Sequence, residues 1–176
     1  MKIQNIPWIT HTHTDYYDVC RIYEGEMPYF LWGNKFWDNH LYLINSEHMS
    51  KKLKYKLTGK CFYYDDEINY PQRILNILSN IDSEYVVLDH EDMFLYKQAN
   101  IDQINKSIEL LINKELDSIR FIKNTNAKYT SMSKDFAVEK INSNSEWIFS
   151  IQPSLWRKEA LIEILKKNLN VNIWEL

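Results

Sequence analysis

Residues 85–88 read YVVL, a short continuous apolar run with two β-branched members, and directly behind it stand Asp89, His90, Glu91 and Asp92. Such a run fits a central, fully buried strand, so the fold must cover a sheet on both faces. The neighbouring segments supply the cover. Residues 6–12 (IPWITHT), 39–45 (NHLYLIN) and 60–64 (KCFYY) read as further strands, as do 119–122 and 147–151. Tyr16, Val19, Cys20 and Tyr23 recur at helical spacing over 15–23. Pro71 opens a helix that buries Ile74, Leu75, Ile77 and Leu78, because its fixed φ suits a first turn. Ile101, Ile104, Ile108, Leu111 and Ile112 form the clearest amphipathic helix. Ser154 is a good N-cap for a last helix through Leu155, Leu161, Ile164 and Leu165. Residues 51–60, with five lysines and no acid, read as a solvated loop or edge hairpin. Alternation of this kind indicates an α/β sheet with mostly parallel central strands.

At 176 residues and 45% hydrophobic, the chain fits one soluble globular domain over 1–176. Its three glycines, Gly25, Gly33 and Gly59, lie too far apart for a dinucleotide loop, a Walker loop or a GxSxG elbow. Any phosphate must therefore be held by a metal ion or by basic side chains. A net charge of −3 argues against a nucleic-acid partner. Two cysteines, Cys20 and Cys61, make neither a zinc cluster nor a disulfide framework, which fits a reduced, cytoplasmic setting. No apolar run reaches transmembrane length.

Four segments carry chemistry. His11-Thr-His13-Thr-Asp15 follows the first strand with metal-ligand spacing, since residues two apart on an extended segment face one side. It suggests a metal-dependent hydrolase, against the plainer reading of polar residues at the mouth of a sheet. Asp89, Glu91 and Asp92 place three carboxylates behind a buried strand, a costly arrangement unless a proton or cation compensates it. A hard divalent cation, Mg²⁺ or Mn²⁺, takes oxygen ligands and shares its shell with substrate phosphates. The same acids could supply a general base, with Asp92 the candidate, or be exposed loop residues. Gln152, Ser154 and Trp156, with Trp174 and Glu175 at the end, offer stacking and hydrogen bonding to a sugar and a second carboxylate, or simply a helix start and core. Arg73, near the start of the Pro71 helix, can bind phosphate oxygens or form a surface salt bridge.

In order along the chain stand TDYYDV (14–19), YPQRIL (70–75), SEYVVLDHEDMFL (83–95), FSIQPSLWR (149–157) and IWE (173–175). This ordered set resembles small nucleotide-sugar glycosyltransferases with the GT-A fold, of the kind found in bacterial surface-polysaccharide loci and large DNA viruses, over nearly the whole chain. The resemblance implies a single Rossmann-like domain, minimal or truncated at its C-terminus, with a mixed, mostly parallel sheet flanked by helices. It implies transfer of a sugar from a nucleoside-diphosphate donor to a glycan or other hydroxyl acceptor. Asp89, Glu91 and Asp92 would be the DxD-like element holding Mn²⁺ or Mg²⁺. The match departs from a strict DxD, since Glu91 occupies its last place and Glu91-Asp92 offers a second register. Thr10 and Asp15 would lie near the base or ribose, Arg73 near the phosphates together with Asp89. Gln152, Trp156 and Trp174 would face the acceptor, and Glu175 would be the general base. The competing readings are the metal-dependent hydrolase and a non-catalytic α/β binding module.

Overall fold

The structure is a computed structural model that describes residues 1–47, 56–95, 97–113, 116–122, 129–131, 139–141, 149 and 152–170. Strands β1 (Trp8–His11), β2 (His40–Asn45), β3 (Lys60–Tyr64) and β4 (Tyr85–His90) run parallel. Strands β5 (Ser118–Arg120) and β8 (Ser154–Arg157) extend the sheet, with β8 antiparallel to both β4 and β5. Among the described residues the order is β3-β2-β1-β4-β8-β5, and β6 (Tyr129–Ser131) pairs with β7 (Glu139–Ile141) in a separate two-stranded ribbon. Helices α1 (Tyr17–Phe30), α2 (Tyr70–Leu78), α3 (Ile101–Asn113) and α4 (Lys158–Lys167) complete a Rossmann-like α/β fold. None is long and apolar enough to cross a membrane.

Period-2 alternation distributes the strand side chains between two cores. Ile9, Leu43, Val86, Leu88 and Trp156 face α2 and α4, which contribute Ile74, Ile77, Leu78, Leu161 and Leu165. Trp8, Val87 and Leu155 face α1 and α3, which contribute Tyr23, Met27, Ile108 and Leu111. A third cluster joins Cys20 of α1 to Tyr42, Ile44 and Leu57. Helix α2 starts with Pro71 in its first turn, and α3 is capped by Asn100, whose Oδ1 accepts from Gln103 N at 3.0 Å.

Three local expectations change. Ser154 does not cap a helix: it begins β8, and α4 starts only at Lys158, because 154–157 has β4 on one side and β5 on the other to satisfy its backbone. Helix α1 runs past Tyr23 to Phe30 and includes Pro28 in its last turn. The strand expected over 119–122 is Ser118–Arg120 instead. Of the strand expected over 147–151 only Phe149 is described. Of the 51–60 loop, residues 51–55 lie outside the described residues. Its remainder is anchored by buried Leu57 and by Thr58 N donating to Glu24 Oε1 at 2.6 Å.

Gly59 ends that loop where no side chain fits. A Cβ there would stand 2.5 Å from His40 Nδ1, 3.1 Å from Tyr42 Cδ2 and 3.2 Å from the His40 carbonyl oxygen. Gly59→Ala is therefore expected to cost about 1–3 kcal/mol, the range for overpacking. An unchanged urea midpoint would show that His40 moves aside freely.

Candidate functional site

The four parallel strands end together at His11, Asn45, Tyr64 and His90. Strand order reverses between β1 and β4: β1 leads through α1 to β2 on one side, while β4 lies on the other. Open α/β sheets bind ligands in the crevice at such a switch point, outside the carboxyl ends of the strands. Here the residues at the switch are His11 and His90, direct partners in the β1–β4 register.

On the face covered by α2, these histidines belong to an aromatic cluster. The His11 ring lies nearly parallel to Tyr64, with centroids 5.1 Å apart and planes 9° apart. It meets Tyr70 edge-on at 5.0 Å and His90 at 5.1 Å. Tyr70 OH and His90 Nε2 lie 3.1 Å apart, and Tyr64 OH donates to the Thr12 carbonyl at 2.8 Å. Burial holds the His11 pKa well below its ordinary value, and the neighbouring His90, Arg73 and His13 lower it further. Burial also brings His90 down to about 4. Both rings are therefore neutral near pH 7, and His11 Nε2 is buried without a hydrogen-bond partner. Arg73 joins this cluster. Its guanidinium lies 4.2 Å from the Tyr64 ring centroid, Nε donates to the Ile68 carbonyl at 2.6 Å and Nη2 to the Asp66 carbonyl at 2.9 Å.

The chain leaves β1 along the rim of the crevice. His13 Nδ1 lies 3.4 Å from Asp15 Oδ2, and Nε2 lies 3.4 Å from Asp66 Oδ1. Asn45 fastens the turn by accepting from Thr14 N at 3.0 Å and donating to Asp66 at 3.2 Å. Asp15 is exposed there. His11 and His13 do not converge: one ring is sunk among tyrosines, the other sits between rim carboxylates.

Thr10 and Asp89 face the opposite side of the sheet, and both are fully buried. Tyr23 OH donates to Asp89 Oδ2 at 2.8 Å, Trp8 Nε1 donates to the same oxygen at 3.1 Å, and Oδ1 accepts from His90 N at 2.8 Å. Thr10 Oγ1 lies 2.9 Å from both Tyr23 OH and His40 Nε2. The donors fix one another. With the Tyr23 proton directed at Asp89, the Thr10 proton goes to Tyr23, so Thr10 accepts from His40 Nε2–H. His40 Nδ1 is then the bare nitrogen, and it is the buried atom that lacks a partner beside Gly59. Burial raises the Asp89 carboxyl to about 7 in spite of its three donors, and lowers His40 to about 3.

This arrangement separates the three acids of the 89–92 segment. Asp89 points into the core with both oxygens engaged, so it does not fit as a ligand to a cation or a partner to a phosphate-bound one. Thr10 likewise is a network member beneath the sheet, away from the open crevice. Glu91 and Asp92 fit better. Glu91 Oε2 is buried without a partner, and Asp92 is exposed. Burial, with Asp92 and Asp89 nearby, raises the Glu91 carboxyl to about 7. Among the described residues no three His, Cys, Asp or Glu side chains converge as a metal-ligating group.

Gln152 precedes β8 at the crevice end of the sheet. Trp156 does not accompany it: it pairs in register with Val86, near the start of β4, is 5% exposed and packs on Phe149 in the core. Trp174 and Glu175 lie outside the described residues. Sequence reasoning passed over Tyr64, Tyr70, Trp8, Tyr23 and His40. Trp8, His40 and Tyr64 lie on strands while Tyr23 and Tyr70 lie on helices α1 and α2, so their grouping shows only once strand register and helix packing are known.

No protein-family model matches the chain, and no curated protein matches its sequence. Among solved structures, similarity is found to 4-diphosphocytidyl-2C-methyl-D-erythritol synthase from Anaerococcus prevotii, with 16% identity and a TM-score of 0.48, covering 94% of this chain and 75% of that one. It is also found to the bifunctional IspDF from Campylobacter jejuni, with 14% identity and a TM-score of 0.48, covering 94% of this chain and 44% of that one.

Proposed function

We propose that the chain is a transferase of the nucleotide-sugar glycosyltransferase type, binding the nucleoside diphosphate of its donor over the ends of β1 and β4. The observation that carries this reading is the reversal of strand order between β1 and β4, with His11 and His90 side by side at the reversal and Asp15, Arg73, Glu91 and Asp92 around it. The ordered motifs of the sequence support the same class. Asp15 and His13 on the rim meet the base or ribose. Arg73 approaches the phosphates with its guanidinium already oriented by two carbonyls. Glu91 and Asp92 would hold Mn²⁺ or Mg²⁺, which supplies positive charge against the diphosphate leaving group. Asp89 holds the end of β4 in place from below. In the transfer the acceptor hydroxyl oxygen bonds to the anomeric carbon, the bond from that carbon to the diphosphate breaks, and a carboxylate takes the hydroxyl proton. Glu175 and Asp92 are the carboxylates for that proton.

Thermal unfolding with uridine, guanosine and cytidine diphosphates, each with and without Mn²⁺ or Mg²⁺, tests this. One nucleotide should raise Tm only with a divalent cation present. The response should disappear in Glu91→Gln and Asp92→Asn but survive in Asp89→Asn. No response to any nucleotide under either cation would sink the reading and favour a binding module.

A further inference from the structure

A cavity of about 670 Å³ lies on the α1/α3 side of the sheet, beside β5 and β8. We propose that it binds the acceptor, and that the acceptor is an alcohol or phenol borne on an apolar ring system. The identification as acceptor rests on the transferase reading; the cavity and its ligand chemistry do not. Its volume is in the range that encloses a drug-sized molecule. The walls are apolar and aromatic: Trp8, Leu31, Leu95, Ile104, Ile119 and Phe121 all line it. Surfaces that bind chains of sugars need many hydrogen-bonding groups along an open groove, and this cavity lacks that character on most of its walls. Its polar groups stand on two walls, one formed by α3 and the other by Asp117, Ser118, Arg120, Lys140 and Ser154. Asn100, Gln103 and Ser107 recur at i, i+3 and i+7 along α3 and all face the cavity. A ligand that matches has an apolar body with its hydroxyl groups at its edges.

The segment directly behind β4 joins the cavity to the crevice. Met93 and Phe94 line the cavity, and they follow Asp92 directly in the chain. Phe94 is 38% exposed, so it sits at the rim. A hydroxyl group at that rim lies against the chain segment that follows Glu91 and Asp92.

The test uses the whole chain without nucleotide, with 2-naphthol and maltose as probes in calorimetric titrations. Binding of 2-naphthol and none of maltose is expected. Gln103→Trp, which puts an indole into the cavity from the α3 wall, should weaken 2-naphthol binding by about tenfold or more, equal to 1.4 kcal/mol. Phe94→Asp, at the exposed rim, should weaken it several-fold and decides the matter if Gln103→Trp does not fold. Binding of maltose but not 2-naphthol, or unchanged 2-naphthol affinity in the folded variants, overturns the proposal. If 2-naphthol binds with this pattern but no nucleotide raises Tm, the cavity stands as a ligand site and its role as acceptor site falls with the transferase reading.

Discussion

Asp89→Ala is expected to lower stability at pH 7.5 by about 3 kcal/mol, because it leaves buried donors without an acceptor. The donors are Tyr23 OH, Trp8 Nε1 and His90 N, and no water reaches a carboxylate that is 0% exposed. Relief of a buried charge offsets part of the loss, since the carboxyl sits at about 7. Tyr23→Phe should cost about 2 kcal/mol alone, since its hydroxyl makes two hydrogen bonds, to Asp89 and to Thr10, each worth about 1 kcal/mol. The double variant should lose less than the sum, because the two side chains share a bond. An open-site metal ligand behaves in the opposite way: its removal spares stability and abolishes cation binding. Urea unfolding of the three variants separates the two roles. A loss below about 0.5 kcal/mol for Asp89→Ala, the size of an ordinary surface substitution, would remove Asp89 from the core network.

That result also bears on how far the sequence could be read. The apolar run of β4 was legible because a strand buried on both faces has to be apolar at every position. Its end was not. The run stops at Leu88, but pairing continues through Asp89 and His90, whose partners are Thr10 and His11 of β1. Two more strand residues turn Asp89 from a loop acid into a side chain on the same face as Tyr85 and Val87. Helices α2 and α3 were legible from their 3.6-residue spacing, whereas β8 was not. Four residues bounded by Pro153 and a helix carry no strand pattern of their own; neighbours on both edges make them a strand. Strand order, which brings 11 and 90 together across 78 intervening positions of sequence, has no local signature at all. The acids at 89–92 and the arginine at 73 could thus be picked out one by one, while their grouping into core anchor, crevice acid and strand-end cluster could not.

His11→Phe should stabilise the protein by about 2 kcal/mol more at pH 5 than at pH 7.5, measured by urea unfolding at both values. The folded protein keeps His11 neutral, with its pKa well below 6.5, because the ring is buried against Tyr64 and Tyr70 and faces His90, with Arg73 and His13 nearby. The unfolded chain takes up a proton near the ordinary value of 6.5. Below that pH the unfolded state binds one proton more than the native state at this position, so the native protein loses stability as pH falls. Phenylalanine has no proton to gain, and His11 Nε2 has no hydrogen bond to lose. The ring stacking on Tyr64 is kept. An equal effect at both pH values would mean that His11 has the same pKa in the folded and unfolded protein, with its ring charged at pH 5 and neutral at pH 7.5. The strand ends would then carry positive charge at acid pH only. A pH-dependent gain keeps the cluster neutral, and under the proposed transferase reading it leaves Arg73 and a cation to offset the phosphate charge.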